Sequence, residues 1–260
     1  MFKNLLTLRG TLSEKQNLAF LVFGLLFILT GWSIASLFIT GGLLPSPLMV
    51  IQSVPELHFK DAMLRNLFYS IYLNTAGYVE AILISIPIGF VIGLFPVFRS
   101  MFSKHIDSFR FIPLTAVTGL FIVWFGIEDK MKIQFLAFGI IVYLLPVVVQ
   151  RIQEVAEVYQ QTAFTLGAST WQTIRSVFFP AVLSKLIDDI RVLVAISWTY
   201  IIVAEMVNKS SGIGGMLYTA SRQGRLDKVF AMLFVIILVG FTQDLIVAFI
   251  DKKLFPYKHI

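Results

Sequence analysis

Six apolar stretches, each about long enough to cross a lipid bilayer, constrain the fold of this chain more than any other feature of its sequence. They cover residues 18–40, 66–95, 109–127, 133–150, 190–207 and 229–250. A helix needs roughly 20 apolar residues to cross about 30 Å of hydrocarbon. Only 14% of the residues are charged, against about 25% in ordinary soluble domains. The sequence therefore predicts an all-α membrane protein with about six transmembrane helices.

The distribution of basic residues predicts the orientation of these helices. With the N-terminus inside, the inner segments hold 13 of the 21 lysines and arginines. Cytoplasmic loops are enriched in basic residues, so we expect both termini to be cytoplasmic. The run 18–40 is longer than the core of a signal peptide, and we expect it to be a retained helix. No internal repeat or linker divides residues 1–260, which predicts a single membrane domain.

Composition argues against several classes of site. The chain has no cysteine, so it offers no thiolate metal site and no cysteine nucleophile. His58, His105 and His259 lie in separate polar segments without the spacing of metal ligands, which favours ordinary surface histidines. The net charge is +6, but no dense basic block is present, and we expect no nucleic-acid partner.

The longest polar segment, residues 151–191, separates the fourth apolar stretch from the fifth. Residues 152–166 lack glycine and proline and predict a short helix, which Gly167 would close in a left-handed conformation. Ser169 and Gln172 have the spacing of a capping box for a second helix that runs toward Pro180. Such a bent pair could be a docking feature for a soluble partner or an ordinary helical hairpin packed under the bundle, and periodicity alone does not distinguish the two.

This segment resembles the cytoplasmic loop of the permease subunits of type I ABC importers. In that family the pattern is E-A-A, three residues, Gly, nine residues, then I-x-L-P, and here it reads QTA, three residues, Gly, nine residues, then VFFP. The spacing matches, with glutamine in place of the family's glutamate. The resemblance assigns an ATPase-coupling loop within residues 151–187. The residues it carries over are Gln161, Thr162, Ala163, Gly167, Ala168, Ser169, Trp171, Val177 and Pro180.

Three further stretches resemble the nitrate, sulfonate and taurine branch of the same family. They are LLPSP at 43–47, RFIPLTAVTGLFIVWFGI at 110–127 and AEMVNKSSGIGGMLYTA at 204–220. Their joint order extends the resemblance over nearly the whole chain, with residues 66–250 as the core of the family's domain.

The resemblance implies a type I importer permease fold with a cytoplasmic coupling helix, in the bacterial cytoplasmic membrane. The chain would pair with a second copy or a close paralogue. It would receive a small solute from an external binding protein, and an anion such as nitrate, a sulfonate, taurine or bicarbonate is expected. Two cytoplasmic ATPase subunits would drive it. The chain has no G-x-x-x-x-G-K-[ST] motif, so we expect ATP and Mg to bind the partner ATPase, and this chain to bind no cofactor and to be no enzyme.

Ionisable residues within the apolar stretches are candidate functional residues, because a charge in hydrocarbon costs about 2.5–3.5 kcal/mol. Glu80 has no local partner, and it could face a central cavity or the dimer seam, with Asn74 and Ser85 adding polarity nearby. Asp244 and Arg191 lie at compatible depths and predict an ion pair. An anionic substrate would be repelled by ionised, water-facing carboxylates, so we expect these groups to be neutralised, paired or off the path.

The last two stretches hold the remaining candidates. Glu205 could form a helical pair with Lys209 or line the pathway. Trp198, Thr199 and Tyr200 could line a cavity or pack between helices. The sequence SSGIGG at 210–215 lacks the Lys-Ser/Thr of a phosphate loop, and it predicts a tight turn before an amphipathic re-entrant segment at 216–228.

Two other functions compete with the importer. A secondary transporter that needs no ATPase would predict inverted repeats with matching broken helices, and Pro87 has no clear counterpart in the other half. An intramembrane enzyme would need a nucleophile with a base or a metal cluster, and no such motif is present.

Overall fold

The computed structural model describes residues 10, 12–39, 42–208 and 211–259, and all the regular structure in these residues is helical. The helices are α1 (Glu14–Phe38), α2 (Pro47–Phe59), α3 (Met63–Leu94), α4 (Pro96–Phe109), α5 (Leu114–Phe125), α6 (Asp129–Gln153), α7 (Glu157–Thr165), α8 (Thr170–Thr173), α9 (Phe179–Asn208), α10 (Ile213–Arg222) and α11 (Leu226–Leu254). A π-helical turn, Ile174–Phe178, joins α8 to α9, and a 3-10 turn, Pro256–His259, follows α11.

We name the two ends of the helical bundle after the short helices that lie there. The end with α7 and α8 is the loop end, and the end with α10 is the α10 end. Five stretches of helix in the described residues are long and apolar enough to cross a membrane: α1, α3, α6, the continuous run from α8 through α9, and α11. They coincide with five of the six predicted stretches.

The third predicted stretch, 109–127, is not one straight helix. Its helical part, α5, has 12 residues, or about 18 Å, too short to cross alone. It forms a bent pair with α4, at an angle of 103°. The bend lies at Arg110–Pro113, where the proline lacks an N–H and restricts the residue before it. The prediction of a single transmembrane helix here was therefore wrong.

The packing of α3 on α6 shows that this bent pair returns across the bundle. Gly77 lies against Leu136, Gly89 against Val148 and Gly93 against Ile152, so α3 and α6 run parallel. The connection between them therefore runs from the loop end back to the α10 end. Its contacts follow α6 from the loop end toward the α10 end. Ile106 packs with Val149, Leu114 lies near Gly139, and Phe121 packs against Phe135. The pair accounts for the sixth crossing.

A stripe of small residues brings α3 and α6 close together. One small residue recurs at every fourth position of α3, and all five are buried: Gly77, Ala81, Ser85, Gly89 and Gly93. A Cβ added at Gly89 would lie 2.5 Å from Val148 Cγ1. Small residues at this spacing let two membrane helices approach with their backbones nearly in contact.

At the α10 end, ion pairs hold the surface helix α2 onto α11. Arg225 Nη2 lies 2.8 Å from Glu56 Oε2, and Lys228 Nζ lies 3.2 Å from Glu56 Oε1 and 2.6 Å from Asp61 Oδ2. The hydrogen bonds from Arg225 and Lys228 lower the pKa of Glu56 to about 2. The six predicted apolar stretches do not include α2, which Ser46 caps and Pro47 begins.

Candidate functional site: the corner at the loop end

The corner between α7 and α8 consists of residues 157–173 and is shaped by local backbone chemistry. Gly167 has φ +80°. Its N–H donates to Phe164 O at 2.9 Å, and the N–H of Ala168 donates to Ala163 O at 3.0 Å. These two bonds form a Schellman motif, which needs the left-handed conformation that glycine adopts most readily. Gly167 thus closes the first helix as predicted.

The capping box that begins the second helix is also confirmed. Gln172 N donates to Ser169 Oγ at 3.4 Å, and Ser169 N donates to Gln172 Oε1 at 2.8 Å. Two boundaries were predicted wrongly. Ile152 lies in α6 rather than in the first loop helix, because α6 continues to Gln153 before the break at 154–156.

The second helix does not stop at Pro180. It continues through the π-helical turn into α9, so residues 170–207 form one run of 38 residues. Pro180 is the second residue of α9, directly after a wider turn that can accommodate a residue without an N–H. A displacement of the corner therefore acts directly on a membrane-crossing helix.

The corner exposes several large apolar side chains among polar ones. Leu166 is 82% exposed and Trp171 is 70% exposed, and Val158, Tyr159 and Phe164 are exposed as well. Large exposed apolar residues that cluster outside the membrane mark sites of protein contact. This observation favours a docking feature over a hairpin packed under the bundle.

The remaining loop residues of the resemblance lie on this corner or just beyond it. Gln161 Nε2 donates to Glu157 Oε1 at 3.1 Å, so a carboxylate is present one turn before the position where the family has glutamate. Thr162 Oγ1 donates to Val158 O at 2.7 Å. Ala163 is partly buried, and Val177 lies in the π-helical turn.

Arg151 links α6 and α9, the two long helices that flank the corner. Its Nε and Nη2 lie 2.7 and 2.8 Å from the carboxylate oxygens of Asp189 on α9, and its Nη1 lies 2.7 Å from Glu154 Oε2. The hydrogen bond from Arg151 lowers the pKa of Glu154 below its usual range. This forked geometry is the strongest form of a carboxylate ion pair. Sequence reasoning missed the pair because its members are 38 positions apart.

A double-mutant cycle tests whether Arg151 and Asp189 act as one unit. We expect Arg151→Gln and Asp189→Asn each to lower the free energy of unfolding by about 1–2 kcal/mol, since each leaves one partner of a half-buried forked pair. The free energy of unfolding of the double variant should be only a little lower than that of either single variant. Thermal unfolding in detergent measures the three values, and strictly additive losses would show that the pair is not coupled.

Glu205 caps α10 from the preceding helix. Its carboxylate is fully buried, with Oε1 accepting from Ser70 Oγ at 2.6 Å and Oε2 accepting from Gly214 N at 2.8 Å. Ser70 Oγ accepts in turn from Ile213 N at 2.9 Å. The N–H of Gly214 thus binds the chain's own carboxylate directly, and the N–H of Ile213 is linked to it through Ser70. The structure has a turn at residues 211–212, with Gly212 at φ +91°, but residues 213–215 of the predicted turn begin α10, which extends over 213–222 rather than 216–228. Lys209, the predicted partner, lies outside the described residues.

Replacing Glu205 should detach the N-terminus of α10. We expect Glu205→Leu to cost about 2–4 kcal/mol, because it leaves the N–H of Gly214 and the hydroxyl of Ser70 without an acceptor. Glu205→Gln should cost about 1 kcal/mol, since its carbonyl can still accept from Gly214. Hydrogen exchange over residues 213–222 distinguishes them: fast exchange is expected in the leucine variant only. Equal protection in both variants would contradict this account of Glu205.

Four of the other intramembrane candidates link helices. The prediction of an Arg191–Asp244 pair is confirmed, with bonds of 2.8 and 2.9 Å between α9 and α11. Trp198 is buried and its Nε1 donates to Gln243 Oε1 at 2.6 Å. Asn74 is buried and its Nδ2 donates to Ser197 Oγ at 3.0 Å. We therefore interpret these residues as packing residues.

Glu80 and Thr199 have different surroundings. Glu80 is partly buried on α3, and both of its carboxylate oxygens accept from Gln134 Nε2 on α6, at 2.8 and 2.9 Å. Asn74 instead bonds to Ser197 on α9. Glu80 and Asn74 therefore have different partners and do not face the one shared cavity that was predicted. Thr199 is exposed and lines a groove of about 260 Å³ between α5, α6 and α9.

The groove at Thr199 is amphipathic. Its polar lining includes Thr115 of α5, Tyr143 of α6 and Tyr200 of α9, with Arg110 nearer the loop end. Sequence reasoning missed Thr115 and Tyr143, because a single hydroxyl within an apolar stretch gives no signal of the face it occupies.

Comparison with known proteins identifies the family. The profile of the family described as binding-protein-dependent transport system inner membrane component matches residues 85–256. The putative aliphatic sulfonates transport permease SsuC of Bacillus subtilis is 28% identical over 85% of this chain and 80% of its own length. The taurine transport system permease TauC of Escherichia coli is 27% identical over 87% of this chain and 84% of its own length.

A solved structure supports the fold. A chain of the MetNI methionine ABC transporter, in an inward-facing conformation, superposes with a TM-score of 0.67 over 75% of this chain and 98% of that chain, at 16% identity. These comparisons do not favour a secondary transporter or an intramembrane enzyme. The chain therefore belongs to the family of inner membrane components of binding-protein-dependent transport systems, as a permease subunit of an ABC importer.

Proposed function

We propose that this permease imports a small sulfonate-type anion, as a pair of copies driven by two ATPase subunits that dock at the corner. The exposed apolar corner, continuous with α9, is the observation that carries the proposal. A docked ATPase would move residues 170–207 as one rigid body, so that closure of the ATPase pair would be converted into a shift of the membrane helices. ATP and Mg would bind the ATPase subunits.

The proposed orientation places the loop end in the cytoplasm. Both termini would then be cytoplasmic, in the inner membrane of a bacterium, and an external binding protein would deliver the solute at the α10 end. The excess of basic residues in the segments of the loop end supports this orientation.

The substrate class rests on two observations. Relatives of this chain are named as permeases for aliphatic sulfonates and for taurine. In addition, the three intramembrane carboxylates named above each have a partner: Glu205 has Ser70, Glu80 has Gln134 and Asp244 has Arg191. A pathway for an anion must keep such groups paired or away from the solute. The hydroxyls at Thr199, Thr115 and Tyr143 can replace water around a sulfonate, and Arg110 adds a positive charge nearer the loop end of the groove.

Uptake in cells tests the substrate. The permease is expressed with its ATPase and binding protein in cells that lack their own sulfonate importers, and uptake of taurine, an alkanesulfonate and nitrate is compared. We expect a sulfonate to be taken up, and Thr199→Val to reduce uptake severalfold with the ATPase still bound. Uptake of none of the three anions would overturn the substrate class, while leaving the family assignment intact.

A further inference from the structure

The helix α4 has an apolar side that the rest of the chain leaves open. At about 100° per residue, five apolar side chains share this side. They are Val97, Phe98, Met101, Phe102 and Phe109, each at least 41% exposed. Ile106 beside them is buried against Leu145 and Val149. A helix of this pattern at the end of a membrane bundle lies in the interface, with its apolar side toward the acyl chains.

An apolar groove of about 460 Å³ runs between α3 and α4. Pro87, Ile88 and Val91 form the α3 wall, Phe98 and Phe102 form the α4 wall, and Leu145 lies at its base. The groove offers no charged side chain, so it suits an alkyl chain and not a soluble ion or a polar peptide.

A polar cavity of about 520 Å³ continues from this groove toward the loop end. The two share Ile106, and the polar cavity extends along α6 to Gln150 and Gln153. Ser103, Asp107 and Arg110 line it from the α4 side. The Oγ of Ser103 is buried and bonds to none of the described residues. An apolar groove followed by a polar cavity, in the direction of the membrane surface, matches the shape of an amphiphile.

Two arginines lie on the polar side of α4: Arg110 lines the cavity, with Asp107, and Arg99 lies outside its lining. Arg99, Ser103, Ile106 and Arg110 recur at four- and three-residue steps and so share one stripe of α4 and its C-cap. Arg99 makes no ion pair with any residue that the structure describes. Arg110 Nη2 lies 2.5 Å from Asp107 Oδ1, and both side chains are about half exposed. Guanidinium groups on either side of a free hydroxyl favour a phosphate group.

We propose that the α4 groove binds an anionic phospholipid. Its acyl chain lies between α3 and α4, and its phosphate lies between Arg99 and Arg110, within reach of Ser103. The bound lipid would fix α4, the first helix of the bent pair, at the membrane surface. Arg110 also lines the groove at Thr199, whereas Arg99 and Ser103 do not.

Native mass spectrometry of the purified permease tests the site. The probes are phosphatidylglycerol and phosphatidylcholine with the same acyl chains. The variant is Arg99→Gln with Arg110→Gln, and the matched control is Lys252→Gln with Lys253→Gln, which removes two exposed basic residues from α11 at the same end. We expect the arginine variant to bind phosphatidylglycerol about 10- to 30-fold more weakly, because each basic residue near an anionic lipid is worth about 1 kcal/mol. The control should stay within about twofold.

Equal loss in both variants, or equal binding of the two lipids by the wild type, would overturn the proposal. Ile88→Trp tests the acyl end separately: it fills the groove and should weaken phosphatidylglycerol binding without removing a charge. A second copy is the competing occupant. Because the chain has no cysteine, Ile88→Cys places a single thiol in the groove, and an efficient disulfide between two copies in membranes would show that protein covers it.

Discussion

Gly89→Leu is expected to prevent the bundle from folding. The added side chain would begin 2.5 Å from Val148 Cγ1 and 2.7 Å from Val148 Cβ, closer than any real contact. Relief requires α3 and α6 to separate, which would also disturb the packing at Gly77 and Gly93 on the same stripe. Overpacking a well-packed core costs about 1–3 kcal/mol and sometimes more, and we expect at least about 3 kcal/mol here. Thermal unfolding and size-exclusion chromatography in mild detergent measure the effect.

Gly24→Leu is the matched control for this result. Gly24 is also a helical glycine in a membrane-crossing helix, but a Cβ added there meets nothing within 4 Å. We expect this variant to unfold within a few degrees of the wild type. A Gly89→Leu variant as stable as Gly24→Leu would show that α3 and α6 do not pack as described.

Trp171→Asp is expected to release the ATPase from a bundle that remains folded. Trp171 is exposed on the corner and makes no ring contact in the described residues, so its removal costs the free permease little. An aromatic residue at the centre of an interface contributes about 2–4 kcal/mol, and we expect ATPase binding to weaken at least about 30-fold. Binding of the purified ATPase to the permease in nanodiscs measures the change.

Tyr257→Asp is the control for the corner variant. Tyr257 is 57% exposed at the same end of the bundle, on the 3-10 turn after α11. It should retain the ATPase. If both variants lose the ATPase equally, docking involves the whole loop end. If neither loses it, the ATPase does not dock on the apolar surface of the corner.

The parts of this structure that sequence reasoning predicts are those governed by local chemistry. Gly167 and the pair Ser169–Gln172 lie within six positions of one another, and the rules for ending and starting a helix need no knowledge of the rest of the chain. The crossing helices are equally local, because hydropathy over about 20 residues identifies them. The Arg191–Asp244 pair joins residues that are 53 positions apart, yet it was predictable because both lie at a similar depth in their apolar stretches.

The parts that sequence reasoning misses depend on distant contacts. Glu205 bonds to Ser70 across 135 positions, so a local partner at Lys209 was the natural expectation. The α3 stripe contains Ser85 and Gly89, whose small size has meaning only beside α6. Pro113 indicates a break in the helix at Arg110–Pro113. Only the parallel packing of α3 and α6 shows that the bent pair returns across the bundle.

The central claim is that the corner at Gly167 couples this permease to an ATPase, and co-purification with matched glycine variants tests it most directly. Gly224 is the natural control, because it closes α10 at the opposite end with φ +69°, the same pair of backbone bonds and, like Gly167, nothing within 4 Å of an added Cβ. Tryptophan at either position carries the same left-handed strain, about 1–2 kcal/mol. At Gly167 it would also project into a docked ATPase.

The tagged wild type, Gly167→Trp and Gly224→Trp are purified in mild detergent, and ATPase protein and activity are measured in each. The account predicts that an ATPase accompanies the wild type and Gly224→Trp and is lost from Gly167→Trp, with all three permeases monodisperse. An ATPase retained by a folded Gly167→Trp, or found with none of the three, would contradict it.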